Sequence, residues 1–240
     1  MRRALVTGGS GVIGAAICRR LASAGHHVYV HAHGGAARAA SLAAEIIAVG
    51  GGAAEPVVFD VTDAEAAGRA LEAVTAAGAI QILVNNAGIH DDAVMPGMRR
   101  EQWSRVIDVS LNGFFNVTQP LLMPMIRTRW GRIVNISSVA ALTGNRGQTN
   151  YAAAKAGLQG AARSLALEVA SRGITVNTVA PGIIASPMAE AAFPPETIDR
   201  LVPMKRAGTP EEVADLVAFL ASENAAYISG QVISINGAMI

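Results

Sequence analysis

Residues 4–17 read ALVTGGSGVIGAAI, and the fold hangs on how this stretch is taken. The apolar run before Thr7 is too short for a helix; glycines follow at 8, 9, 11 and 14, and helical spacing resumes through Ile17. The sequence therefore expects a strand, a tight turn and a helix in direct succession. Glycine permits that turn because it has no Cβ to clash, and it lets backbone amides approach a bound group closely. Amides at the start of the following helix point outward with partial positive charge, which suits a pyrophosphate. A glycine triplet between a strand and a helix is also an ordinary connector, and alone it is a weak signal. Its weight comes from standing at the head of an alternating chain. Thr7, Gly8, Ser10, Gly11, Val12, Ile13 and Gly14 are the candidate binding residues of this loop.

Outward from the loop, short β-branched runs alternate with longer alanine-rich stretches to the end of the chain. Strands are expected at 3–7, 27–31, 55–60, 82–85, 132–137, 174–179 and 231–235. Helices are expected at 14–24, 38–49, 64–77, 101–126, 151–171 and 210–220. Several strands are apolar almost throughout, as expected when helices cover both faces of a sheet. Thr209-Pro210-Glu211-Glu212 makes a strong helix start: a capping hydroxyl, proline in the first turn, then acids near the positive end of the dipole. Alternation of this kind gives an α/β fold, a doubly wound parallel sheet with helices on both faces. No linker, repeat or charge run interrupts it, so residues 1–240 are expected to form one domain.

Composition removes several function classes. With 51% hydrophobic and 15% charged residues, a sizeable core can be buried and disorder is excluded. A net charge of +1 gives no general electrostatic case for nucleic acid or an anionic membrane. Arg2 and Arg3 precede an apolar run that breaks at Thr7-Gly8-Gly9, far short of a signal-peptide core, and no apolar segment approaches the ~20 residues that span a bilayer. The single cysteine, Cys18, sits in a helical apolar pattern and permits no internal disulfide. A soluble cytoplasmic protein is expected, with neither nucleic acid nor membrane as partner.

The second strand ends VYVHAHGG, residues 28–35. Sites selective for NAD commonly place a carboxylate here to bind ribose hydroxyls. This chain has Ala32 between His31 and His33, with Arg38 following, so nothing acidic repels a 2′-phosphate and NADP(H) is favoured over NAD(H). As metal ligands His31 and His33 lack a third partner at a recognisable spacing, and no metal is expected.

Residues 131–158 read GRIVNISSVAALTGNRGQTNYAAAKAGL. Tyr151 and Lys155 are four apart and share a helix face, while Ser138 closes the strand before them. An ammonium beside a phenol favours the phenolate and so is expected to lower the tyrosine's pKa. Such a tyrosine can give a proton to a forming alkoxide, and a serine hydroxyl can hydrogen-bond the carbonyl oxygen. Tyr-x-x-x-Lys alone is commonly just a solvated helix face.

With these residues in order, the chain resembles the short-chain dehydrogenase/reductase family over essentially its whole length. Thr7–Gly14 is similar to the family's cofactor loop, Asp60 with Val61 beside it to the adenine-contacting acid, and Asn85-Asn86-Ala87-Gly88 to its NNAG signature. Ser138, Tyr151 and Lys155 match its catalytic residues. Pro181, Gly182 and Ile184 match the nicotinamide-side loop, Ile184 through its backbone. The resemblance implies a single-domain Rossmann fold with a seven-stranded sheet, usually a tetramer. Within the family, the sequences of 144–158, 168–184 and 217–239 resemble the branch that reduces 3-oxoacyl groups on acyl carrier protein, with NADPH as cofactor. That branch implies Arg129 and Arg172 as carrier-docking positions; by themselves they read equally as solvated charges at helix ends. Residues 186–204 fall where the substrate loop would be, and Pro194-Pro195 forbids one continuous helix there. Reduction or oxidation of another small ketone or alcohol, and a non-catalytic cofactor-binding subunit of a hetero-oligomer, stay open beside the homotetrameric reductase.

Two positions depart from the family pattern. Val12 stands where the middle glycine is usual, with Gly11 before it, where related NADPH enzymes often carry a basic residue. Ser110 stands where the resemblance implies an asparagine at a helix irregularity whose main-chain carbonyl holds a relay water. Serine can bond back to the preceding turn and bend a helix, so Ser110 is expected to substitute. Asn112 cannot, because two residues rotate a helix by about 200°.

Overall fold

The computed structural model describes residues 1–50 and 52–240. Its centre is a parallel sheet built from β1 (Arg3–Val6), β2 (His27–Ala32), β3 (Ala54–Val58), β4 (Ile82–Asn85), β5 (Gly131–Ile136), β6 (Ile174–Pro181) and β7 (Val232–Ile235), in the order 3-2-1-4-5-6-7. Leu5 pairs with Tyr29 on one side and Leu83 on the other, so register is continuous through the middle of the sheet. The order reverses direction after β1, and ligands of open α/β sheets bind at such a switch point, outside the carboxyl ends of the strands. The expected fold class is therefore the observed one, a Rossmann-type sheet.

Alternation along each strand sorts the core into two layers. Ala4, Val6, Ile82 and Val84 face helices α1 (Val12–Ser23), α2 (Ala36–Ala48) and α10 (Pro210–Leu220). Leu5, Leu83, Ile133 and Val176 face α3 (Ala64–Ala76), α5 (Gly113–Thr128) and α7 (Thr149–Val169). The α10 start is a closed capping box: the Glu212 N–H donates to Thr209 Oγ1 at 3.2 Å, and the Thr209 N–H donates to Glu212 Oε2 at 2.8 Å. No described helix is long and apolar enough to cross a membrane.

Two regions differ from the expected strings. The expected helix 101–126 is α4 (Arg100–Ile107), a π-helical turn over Asp108–Asn112, and then α5. Residues 186–204 carry two short helices, α8 (Pro187–Ala192) and α9 (Pro195–Leu201), separated at Phe193-Pro194 as the proline pair requires.

Candidate active site

The glycine loop is assembled from beneath. Thr7 Oγ1 accepts from the N–H groups of Asn86 and Ala87, each at 3.0 Å, which ties the end of β1 to the end of β4. Asn86 Nδ2 donates to the carbonyls of Thr7 and Gly8 at 2.9 and 3.1 Å. Gly8 has a φ of +62°, a left-handed conformation that favours glycine. A Cβ on Gly14 would come within 2.2 Å of the Gly8 carbonyl oxygen, so α1 can lie this close to the loop only without a side chain there. The N-terminus of α1 at Gly11 has no side-chain cap and no acid in its first turn, and Gly11 and Val12 are exposed. Its free amides and the helix dipole fit a pyrophosphate, and Ser10 and Ile13 flank them.

His31 does not lie where the sequence expectation put it. It is 2% exposed; the Gly8 N–H donates to its Nδ1 at 3.0 Å, and its Nε2 lies 2.9 Å from the Phe59 carbonyl. Burial pushes its pKa down to about 4, against the opposing hydrogen bond to Phe59. His31 is thus a neutral strut under the loop and is unable to meet a 2′-phosphate. The groups that remain at the end of β2 are His33, 3.6 Å from Asp60 Oδ2, and Arg38. A Cβ on Gly35 would lie 3.0 Å from an Arg38 guanidinium nitrogen and 3.2 Å from Ser10 Oγ, so arginine, serine and loop converge there. Asp60 Oδ1 accepts from the Thr62 N–H and hydroxyl. Val61 is turned inward, packed against Gly113, and its carbonyl accepts from Asn116 Nδ2 at 2.9 Å. Pro181 and Gly182 close the end of β6, the Gly182 N–H donating to the Ile235 carbonyl at 2.9 Å. Ile184 bridges Gly208 through its neighbours: the Ala185 N–H donates to Gly208 and Ile183 accepts from it, so Ile184's own N–H and C=O point the other way.

Ser138, Tyr151 and Lys155 converge at the carboxyl end of β5. The Ser138 hydroxyl faces Tyr151 closely enough to pull its pKa down, and Ser138 Oγ accepts from the Ala140 N–H at 3.2 Å. Lys155 is 3% exposed; its Nζ donates to the Ile136 carbonyl at 2.9 Å and lies 5.7 Å from the centroid of the Tyr151 ring. Gly88 gives this ammonium its room, since a Cβ there would sit 2.9 Å from Nζ. Ser137 Oγ donates to the Lys155 carbonyl at 3.0 Å and accepts from Gln159 Nε2 at 3.0 Å, fastening α7 to β5. Sequence reasoning missed this pair, because a serine and a glutamine twenty-two positions apart carry no motif.

The electrostatics overturn one expectation. Burial pushes the Tyr151 phenol up, the Ser138 hydrogen bond pulls it down, and the charge of Asp92 pushes it up again, so its pKa stands above the ordinary value. The expected lowering by Lys155 is not what dominates, because the ammonium is turned to a carbonyl and burial brings its own pKa down to about 8. A tyrosine held protonated is suited to giving a proton.

Ser110 lies in the π turn, 3% exposed, and its hydroxyl has no partner among the described residues. The back-bond expected to bend the helix is therefore absent. The irregularity is a wider turn, whose i→i+5 bonding moves the carbonyl that serine would otherwise reach. Asn112 faces away, donating to Asp108 Oδ1 at 2.7 Å. Ser110 instead borders a cavity of about 10 Å³, lined also by Thr7, Asn85, Ala87 and Leu158, room for about one water.

Arg129 and Arg172 lie at the other end of the sheet. Arg129 follows α5 with a φ of +50°, and its Nη2 donates to the Ser171 carbonyl at 3.3 Å, so the two arginines neighbour one another. Tyr151 stands at the first turn of the 21-residue α7 and Arg172 just past its last, which separates them by about 30 Å.

A glycine loop at the sheet's switch point, joined to a Tyr–Ser pair over a buried lysine, defines a dinucleotide-dependent oxidoreductase. The chain belongs to the short chain dehydrogenase family, which residues 2–197 match. It is 46% identical to the 3-oxoacyl-[acyl-carrier-protein] reductase FabG of Aggregatibacter actinomycetemcomitans, over 98% of both chains. It is 46% identical to the protein of the same name from Aquifex aeolicus and 44% to that from Vibrio cholerae, each over 98% of this chain and 96% of the relative. The cofactor implied is a nicotinamide dinucleotide, and the uncapped α1 with its glycine cradle fits one.

Proposed function

We propose that this protein reduces the 3-oxo group of an acyl thioester carried on acyl carrier protein, using NADPH and giving the 3-hydroxyacyl thioester for fatty-acid or polyene-type synthesis. The observation that carries the reading is Tyr151 set between Ser138 and buried Lys155, whose Nζ lies 5.7 Å from its ring, in a chain that keeps near-full-length similarity to reductases of this name. When bound, the nicotinamide supplies the hydride. Ser138 Oγ hydrogen-bonds the carbonyl oxygen, and Tyr151 gives that oxygen its proton as negative charge develops. Lys155, with a pKa near 8, carries the ammonium that offsets the phenolate left behind. Ser110 and the π turn border a water-sized space, to which this reading assigns the proton supply. Arg38, His33 and Ser10 at the end of β2 favour the 2′-phosphate of NADPH over NADH.

The 30 Å between Arg172 and Tyr151 bears on the partner. A carrier docked on Arg129 and Arg172 serves the site of another copy, and for that reason we propose a homo-oligomer, a homotetramer. The test follows loss of nicotinamide absorbance with a 3-oxoacyl thioester, free and carrier-bound, for NADPH and NADH separately. The reading expects faster turnover with NADPH and the carrier-bound substrate. Arg129→Glu combined with Arg172→Glu should slow only the carrier-bound reaction. Absence of turnover with either cofactor would refute the assignment.

A further inference from the structure

Residues 186–201, which carry α8 and α9, are tied to the rest of the chain at their two ends. No described side chain between Ser186 and Leu201 is buried. Among the described residues, the segment's backbone hydrogen bonds run within it or to Val202, such as the Phe193 N–H to the Ala189 carbonyl at 2.8 Å. At one end the chain leaves β6 beside Ser138, because the Val139 N–H donates to the Pro181 carbonyl at 2.8 Å; the Ala185 N–H is then fixed to the Gly208 carbonyl at 2.8 Å. At the other end Val202 is 2% exposed, and a Cβ on Gly237 would come within 2.7 Å of its Cγ1. A segment with so few buried contacts opens locally at little cost.

Among the described residues, one side chain from outside bonds into the segment. Lys205 Nζ donates at 2.5 Å to the carbonyl of Asp199, in the last turn of α9, where helix carbonyls lack partners within the helix. The ammonium there also meets the negative end of the helix dipole. Lys205 has a φ of +58°, in the left-handed region that glycine enters freely and other residues rarely occupy. Its surroundings impose that conformation. The Met204 N–H donates to the Gly237 carbonyl at 3.2 Å and the Lys205 N–H to the Val202 carbonyl at 2.9 Å, while Arg206 forks onto Glu212 at 2.6 and 2.9 Å. Such outliers persist where the neighbours over-determine them and the strain serves a site; here glycine would relieve it and forgo the ammonium. The geometry points to Lys205 as a positioning residue for the reaction: its ammonium latches α9 to the body of the protein and so keeps residues 186–201 seated at the carboxyl end of β6, beside Ser138.

The role in the reaction rests on the reductase reading, whereas the latch itself is read by proteolysis. Glutamyl endopeptidase can cut after exposed Glu190 and Glu196, sites that no substitution at 205 alters. Lys205→Gln is expected to be cut about two- to fivefold faster than wild type, and Lys205→Arg, which keeps a cation, at nearly the wild-type rate. KM for a 3-oxoacyl thioester should rise by a similar factor with kcat changed less, as for binding lost equally from ground and transition states. Lys205→Gly separates latch from backbone, because it relieves the left-handed φ while removing the ammonium. Its unfolding midpoint should hold or rise, yet its cleavage should match that of Lys205→Gln. The chain has only two lysines, and Lys155 is buried, so succinic anhydride on folded protein reaches Lys205 and the amino terminus. It should speed cleavage of wild type and not of Lys205→Arg, which covers a glutamine or glycine variant that fails to fold. Cleavage of Lys205→Gln, Lys205→Gly or succinylated wild type at the untreated wild-type rate would overturn the latch. Faster cleavage with an unchanged KM would overturn its role in the reaction. The same order of cleavage in a protein without turnover would count against the reductase reading alone.

Discussion

The two ends of the sheet treat charge in opposite ways. At the amino ends of the strands, Arg2 and Arg132 lie over the Trp130 ring at 3.4 and 4.3 Å from its centroid. Glu223 there accepts from Arg2, from Trp130 Nε1 and from Arg132. Each cation has an anion and an aromatic face. At the carboxyl ends, Lys155 is as deeply buried as Arg132 but makes no ion pair among the described residues, and Ser110 Oγ is buried without a partner. Buried polar groups are normally paired, and unpartnered ones occur at both ends among the described residues, Ser110 Oγ here and His26 Nδ1 and Thr175 Oγ1 at the amino ends. What differs is the treatment of the deeply buried cation: Arg132 is paired with a carboxylate, and Lys155 is held by a carbonyl alone.

The sharpest way to break this contrast is Tyr151→Phe. It should lower kcat by about 10²–10⁴-fold while leaving the unfolding midpoint nearly unchanged. Stopped-flow absorbance of the reduced nicotinamide and a urea curve on one preparation check both halves. A large loss of stability would mean that the Lys155 end is structural after all.

His31 gives the next effect. Its pKa falls from an ordinary 6.5 to about 4 on folding, so the neutral form is the one the fold favours. The stability it contributes is complete above pH 6.5 and is lost as pH falls through about 4, by roughly 3 kcal/mol. Denaturant midpoints between pH 7 and pH 4 should fall more steeply for wild type than for His31→Asn; equal slopes would remove His31 from the loop's support.

Arg132→Met tests the other end. It should cost about 2 kcal/mol, from lost bonds to the carbonyls of Gly131, Gly173 and Ser222, with kcat unchanged in the folded fraction. The smallest change is Ser110→Ala, expected to lower kcat by less than about threefold, since the π turn stands without that hydroxyl. A loss as large as that of Tyr151→Phe would return the relay to the side chain.

How much of this was legible in the sequence depended on distance along the chain. The glycine turn, the i,i+4 pair of Tyr151 and Lys155 and the Thr209 cap are local patterns, and each is present as read. The burial of His31 was not legible, because it depends on Gly8 and Phe59 meeting the ring from two other elements. The contact of Asp92 with Gln148 carried no signal either, because it comes from a loop folding back onto the start of α7 fifty-six residues on. The irregularity at Ser110 was implied by the family resemblance and not by spacing, since the helical pattern of residues 101–126 is continuous; its form, a π turn over Asp108–Asn112, shows only in the structure. Arg129 and Arg172 were readable as a pair but not as lying at the end remote from Tyr151.

Cys18 has a practical consequence. The thiol is fully buried in α1 with Sγ 3.9 Å from the Gly9 carbonyl, and burial pushes its pKa far above the ordinary thiol range. A thiol reagent can therefore react only when α1 lifts from the glycine loop, and the labelling half-life becomes a clock for that opening. Dinucleotide should slow the clock in proportion to its occupancy. Affinity for each cofactor could then be read from this chain with no substrate added and no turnover required.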